Sequence, residues 1–242
     1  MAVSTDGSVF AITSGAFAVD VWAAPADSSK YALVGNVQPP ASQLVPMALA
    51  FSGDAAEEDA HPYPDPFLAI SWSDENGVDV VVTTYAVTGL AKGSRPKLDS
   101  VWKYSRKCPG SGSFDFVVPT ALSVSSGGET VSVGSWGCLN GAVKGPVRHP
   151  NGRFGGSSLE AMASAVSGGD KNEAAPNVVI LKGRGGDGKP LMEDTLPGKV
   201  WAVATSMGLS SPVVSVGSWF TRDGSTPSQV TTYAVKHSLP HN

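Results

Sequence analysis

The sequence predicts an all-β fold of about four repeat units, mostly of four antiparallel strands each. Two observations carry this reading: strand-like segments that recur along the chain, and a composition rich in turn formers and poor in charge. The string VTTYAV at residues 82–87 recurs unchanged at 230–235, and VSVGSW at 131–136 recurs unchanged at 214–219. A looser copy of the second string is LAISW at 68–72. Upstream lie apolar strings that begin at Val45, Val118 and Val200, spaced 73 and 82 residues apart. Ordered blocks at such a spacing set the architecture before any single residue does. There are 28 Gly and 18 Pro in 242 residues, with 16% charged. Typical globular chains carry about 7% Gly, about 5% Pro and roughly 25% charge.

Each unit reads as an apolar inner strand, a second strand ending in Trp, a third alternating Val, Thr and Tyr, and a more polar fourth. The fourth strands fall at about 98–107 and 189–196. Period-two alternation and β-branched residues argue for strands, and Gly, Asp, Ser and Pro clusters mark the turns between them. A partial first unit occupies residues 3–7, 8–14, 19–24 and 31–37. The expected count is three strands, then four, four and three. On this reading the chain starts after the innermost strand of its first unit and stops before the outermost strand of its fourth. Helical periodicity is confined to residues 158–166. The units form one domain over 1–242, with insertions at about 53–66 and 139–175.

Four-stranded antiparallel sheets repeated radially make a β-propeller, usually of four to eight blades. In this general pattern, over nearly its whole length, the chain resembles the WD40-like and quinoprotein-like propellers. It lacks the Gly-His…Trp-Asp signature of WD40 blades and the full aromatic docking pattern of quinoprotein blades. The resemblance implies either a rigid docking frame or an enzyme with its site at the mouth of a central channel. A β-sandwich of the same strands is the alternative fold. Missing edge strands leave backbone donors and acceptors that invite another chain. A compact four-blade ring, a fragment of a longer propeller and assembly between chains all answer that problem. The expectation is a ring or a fragment, and a monomer.

Net charge is −4, with no basic run. Nucleic-acid binding draws on clustered cations that neutralise phosphates, so it is not expected. Residues 200–221 are uncharged, but five Ser and Pro212 interrupt them and they alternate like paired strands, so no membrane span is expected. The first cation is Lys30, Ala2 follows Met1, and the last residues carry no lipidation signal. The expectation is a soluble protein, cytoplasmic rather than secreted. Cys108 and Cys138 lack metal-ligand spacing and are expected as free buried thiols rather than a bridge.

The tryptophans Trp72, Trp136 and Trp219 occupy repeat-equivalent places and are expected to fill the same gap between units. The segment 183–190 (GRGGDGKP) has a superficial phosphate-loop spacing. Pro190 stands where the Mg²⁺-binding hydroxyl should be, and no helix follows, so a Gly-rich hairpin turn is expected instead. The insertion 139–175 carries Lys144, Arg148, His149 and Arg153, a candidate partner-binding or anion-binding loop, since loops of this length are commonly functional or disordered. The loop 53–66 gathers Asp54, Glu57, Glu58, Asp59, His61 and Asp65, oxygen donors of the kind Ca²⁺ takes, but without EF-hand spacing. It reads as a solvated acidic loop, and no metal or cofactor is expected. Asp20, Asp79 and Asp115 sit near strand starts, where such side chains close turns. Scattered His61, His149, His237 and His241 form no catalytic motif. The function expected is therefore a non-catalytic binding or protein-interaction scaffold acting through loops, with a propeller oxidoreductase or hydrolase as the alternative.

Overall fold

A computed structural model of the chain describes residues 1–15, 17–26, 28–52, 65–74, 79–107, 119–135, 176–196, 199–206, 212–219 and 228–235. Every regular element among them is a strand, and each sheet is an antiparallel meander in chain order. The first sheet holds β1 (Ala2–Val3), β2 (Val9–Thr13), β3 (Val19–Ala23) and β4 (Ala32–Val37). The second holds β5 (Leu44–Phe51), β6 (Phe67–Asp74), β7 (Asp79–Thr88) and β8 (Lys97–Lys107). The third holds β9 (Pro119–Val124), β10 (Thr130–Ser135), β11 (Val178–Lys182) and β12 (Pro190–Asp194). The fourth holds β13 (Lys199–Thr205), β14 (Val213–Trp219) and β15 (Gln229–Ala234).

The first sheet corrects one expectation. Its innermost place is filled by the two-residue β1, which pairs Ala2 with Ala11 and Val3 with Phe10. Two residues give too short a periodic signal to be read from sequence. The long insertion expected at 139–175 falls between β10 and β11, and that at 53–66 between β5 and β6.

Because successive side chains point to opposite faces, a sheet flanked on both sides must be apolar at both parities. The middle sheets obey this. On β6, Leu68, Ile70 and Trp72 pack with Val9, Ala11, Val19 and Val21 of the first sheet. Their neighbours Phe67 and Ala69 face the other way, into a cluster with Val131, Val133, Val179 and Leu181 of the third sheet. On β11, Val178 and Ile180 turn instead toward Val200, Val214 and Val216 of the fourth. The sheets thus succeed one another face to face in chain order, and the inner strands touch in sequence, β1 on β5, β5 on β9 and β9 on β13.

One hydrogen-bond pair recurs in all four sheets. A serine just after the inner strand donates its N–H to the carbonyl of the residue opening or flanking the second strand, and its Oγ accepts that residue's N–H. Ser4 clasps Val9 (2.8 and 2.9 Å), and Ser52 clasps Phe67 (2.8 and 3.0 Å). Ser125 clasps Thr130 (2.9 and 2.9 Å), and Ser206 clasps Val213 (2.8 and 2.9 Å). At the same end of the second strand, on its other edge, the N–H of Ala24, Val87, Gly183 and Val235 reaches the carbonyl of Ser8, Pro66, Glu129 and Pro212 respectively. Five residues before three of the clasp serines the inner strand bulges, at Met47, Thr120 and Trp201. Bulges turn a side chain out of the pleat, and Met47 and Trp201 are exposed.

Counting from the clasps corrects a second expectation. Trp72 lies five residues after Phe67, whereas Trp136 and Trp219 lie six after Thr130 and Val213. A one-residue offset reverses the face, so Trp72 shares its register with Ser135 and Ser218 and not with Trp219, while Trp136 lies outside the described residues. Trp72 is fully buried against the first sheet, with its indole N–H donated to Thr83 Oγ1 at 2.7 Å. The 82–87 and 230–235 strings, by contrast, do share register: Val87 and Val235 make the same bond at 2.9 Å.

The identical strings 131–136 and 214–219 give a matched pair of glycines. A Cβ on Gly134 would lie 2.3 Å from Val200 Cγ1 and 2.7 Å from Val203 Cγ2, whereas one on Gly217 would meet nothing nearer than Ala202 Cβ at 3.7 Å. Gly134→Ala is expected to lower unfolding free energy by about 1–3 kcal/mol through overpacking, and Gly217→Ala to leave it within about 0.5 kcal/mol. Urea unfolding of both in dilute solution checks this. The clasps give a second contrast. Ser52→Ala strands the N–H of fully buried Phe67 and should cost about 1–3 kcal/mol. Ser206 is exposed, so water replaces its hydroxyl and Ser206→Ala should cost less than about 0.5 kcal/mol in the same assay.

Candidate functional site

The Gly-rich segment is the turn between β11 and β12, as expected, and its two cations are both engaged within the chain. Arg184 folds back to donate from Nε to the Gly127 carbonyl at 2.9 Å and from its guanidinium to the Asp65 carbonyl. Its guanidinium also lies 5.1 Å from the Phe67 ring centroid, a cation–π distance. Lys189 pairs with Asp187 at 2.9 Å on the exposed rim, and this hydrogen bond holds the Asp187 carboxyl below its usual range. The segment latches the second sheet to the third.

Strand β8 supplies the rest of that latch through its period of two. Trp102, Tyr104 and Arg106 share one face and reach three points along the length of the third sheet. The Trp102 indole donates to the Gly183 carbonyl at 2.6 Å, the Tyr104 hydroxyl to Glu193 Oε1 at 3.3 Å, and Arg106 to the Pro176 carbonyl at 2.5 Å. From the opposite side the Tyr233 hydroxyl donates to Asp194 Oδ2 at 2.7 Å. Adjacent carboxylates on β12 therefore receive phenols from sheets two and four. Buried Asn177 closes the end of the sheet at which Asp194 lies, exchanging bonds of 2.8 Å with the Leu196 backbone.

Among the described residues, no element covers the outermost faces of the array. On the first sheet, Val3, Phe10, Trp22 and Leu33 lie in one cross-strand row over all four strands. Phe10 stacks on Trp22 (centroids 6.2 Å apart) and meets Tyr31 edge-on at 5.1 Å. Leu33 is 52% exposed and Val3 50%. Asp20 lies on this same face, where Asn36 donates to its Oδ1 at 2.5 Å; it closes no turn. On the fourth sheet the open face pairs Val213 with Ala234, Ser215 with Thr232 and Gly217 with Val230, and Val230 is 74% exposed. Sequence reasoning missed both faces, although the apolar outward residues of β2 and β3 carry the signal.

Lys144, Arg148, His149 and Arg153 lie outside the described residues, as do Asp54, Glu57, Glu58, Asp59, His61, Asp115, Cys108, Cys138 and the 158–166 segment. Of the acidic loop, Asp65 is described, and its carbonyl serves Arg184. Asp79 opens β7. Among the described residues no three His, Cys, Asp or Glu side chains gather as metal ligands, and no helix is long and apolar enough to cross a membrane. No family model and no curated protein matches the chain.

Burial raises the Tyr104 hydroxyl from 10.0 to about 12, helped by the Glu193 carboxylate and opposed by Arg106. Burial and then Asp194 raise Tyr233 as well. The folded chain thus favours the neutral phenols, and the stability they contribute is complete below pH 10 and lost as pH rises through the folded values. Unfolding free energy is expected to fall between about pH 10 and 12, and less steeply in Tyr104→Phe, whose ring cannot ionise. Denaturant titration at stepped alkaline pH checks both slopes.

Proposed function

We propose that the four sheets are blades of a propeller-like array and that the chain is a non-catalytic binding or protein-interaction scaffold. The observation that carries this is the division between frame and insertions. The frame is bolted at successive sheet boundaries by side chains whose polar atoms bond to the frame itself, Arg184 and Trp102 between the second and third sheets and Tyr233 between the third and fourth. The two insertions leave that frame inside hairpins, between β5 and β6 and between β10 and β11. Rigid scaffolds with variable loops are how many domains present binding residues. In this reading Lys144, Arg148, His149 and Arg153 supply positive contact points in a chain of net charge −4, which favours a partner with an anionic patch.

Deletion of residues 141–172 tests the reading. The shortened chain should unfold cooperatively with a midpoint close to that of the full chain and fail to retain a partner that the immobilised full chain holds. Loss of cooperative unfolding would make the insertion part of the frame and sink the proposal. Native mass spectrometry before and after a chelator gives the opposing outcome, since a retained metal or organic mass would turn the reading to a propeller enzyme.

A further inference from the structure

We infer that the open face of the fourth sheet docks the open face of the first sheet of a second copy of this chain, head to tail. The inference goes beyond the loop-binding proposal and stands without it. The third sheet already shows how a sheet of this chain receives its successor. Gly134 leaves room for Val200 and Val203, Ser132 Oγ accepts from Thr205 Oγ1 at 3.2 Å, and Ser123 Oγ accepts from the Thr205 N–H at 3.0 Å. Counted from the clasps, the fourth sheet carries the same residues at the same places on its outward face: Ser215 stands where Ser132 does, Gly217 where Gly134 does, and Val230 where Val178 does. There they are left half-buried or exposed.

The chain also carries the matching face. Phe10 and Ile12 of the first sheet hold the register of Leu68 and Ile70, of Val131 and Val133, and of Val214 and Val216, each of which packs on the preceding sheet. Trp22 holds the register of Tyr85 and Tyr233. Where the first and second sheets meet, Leu68, Ile70 and Trp72 cover Ala11, Val21 and Ala23. At that first joint the arriving side chains are larger than the receiving ones, and Phe10, Trp22 and Leu33 bear the same relation to Ser215, Gly217 and Ala234. Leaving the first face open would expose a contiguous aromatic patch, which in soluble proteins marks an interaction site. A face that fits the other end of an identical molecule makes a heterologous contact. The second copy is therefore the occupant.

Sedimentation velocity of the full chain and two charge variants tests this, with Leu33→Glu on the first face and Val230→Glu on the fourth. The wild type should associate above its 24.8 kDa chain mass. Each variant alone should sediment as a single chain, its association weakened by more than about tenfold, because every contact needs one face of each kind. An equimolar mixture should recover a species of two chains and nothing larger, since one intact face of each kind remains. Ile12→Glu and Thr232→Glu, also at exposed positions, replace either variant that loses cooperative unfolding. A wild type that stays a single chain at every concentration would overturn the inference and place the cover within the chain or on another protein. A variant that still associates with itself would overturn it too, because that behaviour belongs to like-to-like pairing.

Discussion

A β-sheet has two faces, and in this molecule the apolar residues needed to cover both come from alternate positions of the same short strands. That constraint governs the rest. Strands mostly five to eight residues long cannot make a thick core by themselves, so each sheet must lean on its predecessor and receive its successor. Phe67 and Leu68 are neighbours in sequence and belong to different cores. Buried area per residue is gained only when the stack keeps its register, since a slip of one residue would exchange the two faces.

Register is held by hydrogen bonds rather than by the apolar residues, which are too alike to choose. The serine clasps fix where the second strand begins relative to the first, whatever the length of the loop between them. Ser4 and Val9 are separated by a short turn, while Ser52 and Phe67 bracket the 53–66 insertion. The bond pair is the same in both. Loop length costs little entropy once the ends are fixed, so insertions can grow at these hairpins without disturbing the frame. Polar pins then lock one sheet to the next. They cluster on β8, on the 183–190 turn and on β12, where side-chain donors find carbonyls and carboxylates in the adjoining sheet.

The functional proposals follow from where this scheme stops. Each interior face is covered by the sheet that follows it, and the proposed docking would extend that arrangement to the two outermost faces. A binding frame with loops at its hairpins and a joint half at each end has two separate ways to meet other molecules. One acts through residues in the insertions and the other through the faces of the first and fourth sheets.

Much of this frame was legible in the sequence. The strings around Val82 and Val230 keep their register in space, and the turn at 183–190 was readable because Pro190 and the absence of a helix leave no phosphate loop. The clasp serines were visible too, one closing each inner strand, but their unequal distance from the partner strand hides the pairing. The tryptophans misled for the same reason: the string that ends in Trp72 reads as a looser copy of the one that ends in Trp219, and only the count from the clasp sets the two one register place apart. The row of Val3, Phe10, Trp22 and Leu33 was likewise out of reach, since four strands must align before it exists. The sequence by itself determined that the chain forms antiparallel sheets, in what order their strands run and where insertions interrupt them, because period-two patterning and turn chemistry are local. Only the tertiary structure decided which face of each strand meets which sheet and which faces stay open, because that choice depends on hydrogen bonds and packing between residues far apart in the chain.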